Sequence, residues 1–183
     1  DGEYPRIGTV IFRYGVLLFQ ENHGKTLDES AITPDGEFAV VKLDHDNLVW
    51  NLINGERRWI LDAEGALGHS DTGPGFMIGE FSHGNHGECV LWDLRRTLTM
   101  DRRKVLFHTW NLGHVSIRGG VCLLSDRNSL SVVSLRGDGV APFHQHGMTG
   151  DGYDYQVRAN LSPCGRIATY MSNHGGGRMD VFL

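Results

Sequence analysis

Ten of the 183 residues are histidines, and two pairs are closely spaced, His83-Gly84-Asn85-His86 and His144-Gln145-His146. An imidazole titrates near neutral pH and ligates divalent metals, so clustered histidines point to acid–base work or to a metal ion. His69 and His114 each follow a glycine, as Gly68-His69 and Gly113-His114. A further chemical group lies in GDGYDYQVR (150–158), where Arg158 stands near Tyr153, Tyr155, Gln156, Asp151 and Asp154. A guanidinium holds a carboxylate through two parallel hydrogen bonds, and a tyrosine offers a ring face to a sugar. A plainer reading pairs Arg158 with the nearby aspartates at a solvated rim and treats turn histidines such as His45 as ordinary loop residues.

Whether these groups meet depends on the elements that carry them. Four segments share one pattern: LVWNL (48–52), VLWDL (90–94), SVVSL (131–135) and MDVFL (179–183). Their last leucines are 42, 41 and 48 residues apart. Each follows another apolar run, FAVVKL (38–43), FMIGEF (76–81), GVCLLS (120–125) or RIATYM (166–171), across a polar turn. Apolar, β-branched runs around Gly/Asn/Asp turns read as β-hairpins. TPDG (33–36) and SPCG (162–165) add tight turns ahead of two of them, and ERRWIL (56–61) and RKVLFHT (103–109) fit a further strand. No segment of useful length has helical periodicity. A period in the forties with up to four short strands predicts an all-β chain, a β-propeller of about four antiparallel blades. In that register Leu52, Leu94, Leu135 and Leu183 are equivalent, as are Trp50, Trp92, Val133 and Val181.

Strand order in such a blade brings the entry loop and the turn between second and third strands to the same rim. His69, His114, His144 and His146 fall on entry loops, and His45, His83, His86 and His174 on turns. Eight of the ten histidines are thus expected at one mouth. The competing reading for His69 and His114 is structural, each imidazole bonding within its own blade.

Composition narrows the field. The formal net charge of −5 leaves no electrostatic footprint for nucleic acid. The longest apolar run, Val16 to Phe19, is far short of a membrane-spanning helix. Cys89, Cys122 and Cys164 have no metal-type spacing and read as small buried hydrophobes, with a Cys89–Cys122 bridge left open. The opening DGEYPRIGTVIFRYGVLLFQ reads as strands of an earlier blade. Residues 1–27 are therefore expected to be remnant strands of a preceding blade, and 28–183 about four blades with the last incomplete. That describes an open partial ring, whose partners include the missing blades of a longer chain and whose exposed faces favour self-association. ENHGKT (21–26) lacks the second glycine of a phosphate loop. LRRTLTMDRRK (94–104) carries five basic residues, a solvated loop or a contact for an acidic partner.

These residues carry a resemblance. Gly68-His69 and Trp92-Asp93, with 22 residues between, resemble a WD40 repeat. SPCG followed by ATYMSNHGGGRMDVFL is similar to TolB-type propellers. NLGHVS (111–116) and the two Gly-His entries are similar to oligogalacturonate lyases, which are seven-bladed propellers. The lyase resemblance implies abstraction of the proton α to a uronate carboxylate, a step needing a base and neutralisation of the carboxylate. It places His69 at the base and His114 at a ligand of a divalent metal, manganese in that family. His144 and His146 are the further ligand candidates here. Where the family carries His-Pro-His, this chain has Gln156-Val157-Arg158. Arg158 then joins His69 as a catalytic candidate, and Tyr153, Tyr155, Gln156 and Arg158 form the substrate-binding set. The expected function is recognition of an acidic carbohydrate, an acidic oligosaccharide or similar anion, with β-elimination as the candidate reaction. The expected location by resemblance is periplasmic or secreted. The alternative is a non-catalytic WD40-like scaffold binding a protein partner across the same face.

Overall fold

The computed structural model describes residues 9–13, 16–21, 27–83, 86–96, 103–109, 112–126, 129–136, 138–149, 157–173, 176 and 180–183. Apart from a single 3-10 turn at Asp62–Glu64, the regular structure among them is β. Strands β1 (Thr9–Arg13) and β2 (Val16–Glu21) form a two-stranded sheet. Four antiparallel sheets follow in sequence order, the blades of a partial β-propeller.

The first blade contains β3 (Leu27–Ile32), β4 (Phe38–Leu43), β5 (Asp46–Asn51) and β6 (Arg57–Ile60). The second contains β7 (Ser70–Gly73), β8 (Phe76–His83), β9 (His86–Asp93) and β10 (Lys104–Thr109). The third contains β11 (Leu112–Arg118), β12 (Val121–Asp126), β13 (Ser129–Val133) and β14 (Val140–Gln145). The fourth contains β15 (Asn160–Leu161), β16 (Ala168–Ser172) and β17 (Asp180–Phe182). The first strands of successive blades, β3, β7, β11 and β15, touch one another in turn, which makes them the inner strands.

Alternation along each hairpin explains the stacking. Successive side chains of a strand point to opposite faces, and in the second and third blades both faces are covered. Met77 packs towards the first blade with Phe38, Val40, Val49, Val90 and Trp92. The next residue, Ile78, packs towards the third with Cys89, Val115, Ile117, Cys122 and Leu124. Leu123 and Leu130 then meet Val157, Ala159 and Tyr170 of the fourth segment. Burial on both faces is why these runs are continuously apolar. Cys89 and Cys122 are free and buried; burial raises both thiols, Cys122 to about 12, so they behave as small hydrophobes.

The two predicted turns are alike in detail. The Thr33 hydroxyl accepts the Phe38 N–H at 3.0 Å, and the Ser162 hydroxyl accepts the Ile167 N–H at 3.1 Å. Third-strand equivalence holds for three blades. Ala39 pairs Trp50, Met77 pairs Trp92, and Leu123 pairs Val132 beside Val133. The fourth blade departs from the sequence expectation. Phe182 pairs Tyr170 as Leu48 pairs Val41, so Leu183 and Val181 sit three residues earlier in the register than Leu52 and Trp50.

Candidate functional site

Pairing fixes one row of residues along the mouth. Ala31, Asp71, Ser116 and Asn160 occupy equivalent places on the inner strands, opposite Val40, Ile78, Leu123 and Thr169. Two residues before each stand Glu29, His69, His114 and Arg158. An acid, two imidazoles and a guanidinium therefore share one register position on four successive blades.

Bulges and close backbone approach aim this row. Register shifts fall between Leu27 and Glu29 in β3 and between Leu112 and Val115 in β11, and an irregularity of that kind re-aims a side chain. The His114 N–H donates to the Ser125 hydroxyl at 3.0 Å. That hydroxyl donates in turn to the Val157 carbonyl at 2.8 Å, tying the strand of His114 to the approach of Arg158. A Cβ on Gly113 would stand 2.7 Å from the Ser125 carbonyl oxygen, and one on Gly79 would stand 2.5 Å from the His69 carbonyl oxygen. Only glycine allows these approaches without displacement of backbone.

The inner strands are locked to one another just below the row. Asp71 Oδ2 accepts the Ile117 N–H and an Arg118 guanidinium N–H, both at 2.8 Å. The equivalent Ser116 hydroxyl accepts the Leu161 N–H at 3.1 Å. Ala31 has no such acceptor, and the first blade is joined by Ser70, whose hydroxyl donates to Glu29 Oε1 at 3.2 Å. Asn47 completes that joint through its amide to Leu67.

The row behaves as one electrostatic unit. The rings of His69 and His114 lie 4.4 Å apart between centroids, inclined at 42°. Burial, followed by His69 and Arg158, pushes His114 down to about 4, so its imidazole is neutral at physiological pH. Its Nε2 is buried with no hydrogen-bond partner among the described residues. Burial raises the Glu29 carboxyl, opposed by Lys42 and the Ser70 hydroxyl. The row thus runs from an acid through two imidazoles to the exposed cation of Arg158.

The other candidates separate by radius. His144 ends the outermost strand of the third blade, with Nε2 2.6 Å from the Tyr170 hydroxyl and its ring 5.0 Å from that ring. His146 is fully buried; its Nδ1 accepts the Met148 N–H at 3.1 Å, and its carbonyl accepts the Ser172 hydroxyl. Both pin the third blade to the fourth. Three strand spacings, about 14 Å of backbone, separate β14 from β11. That spacing separates the backbone of His144 from that of His114, and among the described residues no three His, Cys, Asp or Glu side chains gather as a metal requires. Tyr153, Tyr155 and Gln156, with Asp151, Asp154 and His174, lie outside the described residues, as do the side chains of His83 and His86. His108 lies elsewhere, exposed, 3.7 Å from Glu88.

Glu29 is the member of the row that motif reading missed. Its signal was spacing: it lies four residues before Thr33 of TPDG, as Arg158 lies four before Ser162 of SPCG.

No family model matches the sequence, and no curated protein matches it. Solved structures do. TolB from Acinetobacter baumannii superimposes with a TM-score of 0.60 at 14% identity, over 90% of this chain and 42% of that one. The fold is that of a TolB-like and WD40-like β-propeller. A TolB-type protein from Agrobacterium tumefaciens gives 0.58 at 10% identity, covering 91% of this chain and 60% of its own. A chain of the mitotic checkpoint complex gives 0.52 at 15%, covering 94% and 56%. The chain spans less than half the length of the Acinetobacter TolB. Among the described residues, no helix is long and apolar enough to cross a membrane.

Proposed function

We propose that this propeller face recognises an acidic carbohydrate, with Arg158 as the fixed cation and His69 and His114 as hydrogen-bonding neighbours. The observation that carries the reading is the contact of His69 with His114 across two blades, with Arg158 close enough to depress the second imidazole. Histidines serving only to brace their own blades would each bond within that blade. Here the two rings meet across blades, and among the described residues the Nε2 of His114 has no hydrogen-bond partner.

The chemistry follows from charge. Neutral His114 donates or accepts one hydrogen bond without adding charge, so carboxylate recognition rests on the Arg158 guanidinium. If elimination accompanies binding, His69 takes the proton α to the uronate carboxylate. The C–H electron pair forms the ring double bond between C4 and C5 as the 4-O-glycosidic bond breaks, and the leaving oxygen takes a proton from solvent.

Calorimetry with trigalacturonate tests the reading. Arg158→Ala is expected to weaken binding about tenfold or more, as loss of one charge-assisted contact does, and His114→Ala to weaken it less. Unsaturated uronate formed by the wild type and lost in His69→Ala supports the elimination step. Equal affinity in all three proteins would refute carbohydrate recognition and leave the scaffold reading of the same face.

A further inference from the structure

The opposite rim carries a cleft. Between the first and second blades lies a cavity of about 460 Å³, in the range of ligand-binding clefts. Phe38, Val49 and Leu94 form its apolar floor, and Arg57, Arg58, Arg95 and Arg96 stand around it with one lining carboxylate, Glu56. The two Arg-Arg pairs come from different repeats: one opens β6, and the other follows β9 in the LRRTLTMDRRK stretch.

The four arginines are not equivalent. Arg95 is a structural clamp, its Nε 2.8 Å from Glu37, its Nη2 2.5 Å from Asp35 and its Nη1 3.2 Å from the Pro74 carbonyl. It fixes the second blade to the TPDG turn of the first and leaves little donor capacity. Arg96 is paired through Nε with Asp93 at 3.1 Å, and its side chain is largely exposed. Arg57 lies over the Trp50 ring at 5.7 Å. Arg58 is half-buried and has no ion-pair partner among the described residues. Glu56 is engaged by the Asn54 side-chain amide at 3.0 Å.

We infer that this cleft docks an acidic peptide, an apolar side chain entering over Phe38, Val49 and Leu94 while flanking carboxylates meet Arg58 and Arg96. Charge complementarity favours that occupant, since guanidiniums from two blades face one another across a floor that water-loving ions do not need. The cleft is several times larger than a single oxyanion. It also lies at the far end of the sheets from His69 and His114, so the two sites are separable by mutation.

The test uses the full-length protein and a fluorescein-labelled Glu-Glu-Leu-Glu-Glu peptide, followed by fluorescence anisotropy. The double variant Arg58→Glu, Arg96→Glu is expected to bind about tenfold or more weakly, with an unchanged circular dichroism spectrum. Arg58→Gln should show a smaller loss, and it carries the comparison if the double variant does not fold. The wild-type affinity should fall as salt rises. No binding by the wild type, equal binding of a Lys-Lys-Leu-Lys-Lys peptide, or unchanged affinity in both variants would overturn the proposal. So would displacement by inorganic phosphate at equal concentration, which would mark a small-anion site only.

Discussion

The second and fourth blades are built from similar apolar hairpins but are buried very differently. In the second, Met77, Ile78, Cys89 and Val90 are all at 0% exposure, and Trp92 is at 1%. In the fourth, Ile167 is 49% exposed, Val181 72% and Leu183 91%, while Tyr170 is buried at 8%. The second blade has neighbours on both faces and the fourth, among the described residues, on one. Burial in a stacked-blade protein is therefore conferred by the neighbouring sheet, as nearest-neighbour models of repeat proteins require. Apolar sequence is necessary for it and does not by itself produce it.

The comparison can be broken most directly at Trp92. Its indole N–H donates to the Gly65 carbonyl at 3.1 Å, and Trp92→Ala should lower unfolding free energy by about 3–5 kcal/mol. Urea denaturation measures this; a loss below about 1 kcal/mol would mean that the second blade is no better packed than the fourth. Next in size is Asp71→Ala. It removes the acceptor of the Ile117 N–H and the partner of Arg118, at a cost of about 1–3 kcal/mol. The equivalent Ser116→Ala, which frees only the Leu161 N–H, should cost about 1 kcal/mol, so the ratio of the two reports how strongly each inter-blade joint is tied.

His114 sharpens the contrast through pH. Its folded value of about 4 lies below the ordinary 6.5, so between those values the unfolded chain binds more protons. Stability should then fall as pH drops from about 6.5 towards 4, by about 1–2 kcal/mol for a half-exposed group. Thermal melts of wild type and His114→Asn across that window should diverge, the variant losing less on acidification. The smallest effect belongs to the fourth blade: Val181→Ser should change stability by no more than about 0.5 kcal/mol, readable in the same urea series.

Much of this was legible in the residues. Alternating apolar runs, the TPDG and SPCG turns and the recurring Trp or Val before Leu dictated hairpins, because each signal acts within a few residues of itself. The same periodicity misplaced the fourth blade's last strand. Leu183 matched the pattern of Leu52, while the backbone bonds of β16 to β17 place it three residues earlier. Spacing between leucines cannot distinguish strand from turn when a Gly-rich turn lengthens.

The site divides the same way. The sequence determined that Glu29, His69, His114 and Arg158 each stand four residues before the turn or strand end that follows. It also determined, through Gly79 and Gly113, that backbone could approach closely beside two of them. Which of ten histidines meet was decided only by tertiary structure. His69 and His114 touch across blades 45 residues apart in sequence, whereas the closely spaced His144 and His146 turn away to Tyr170 and Met148. Short sequence spacing brings backbones together and leaves ring direction to strand pleat, bulge and the neighbouring sheet. Those are set by the packing of one blade against the next.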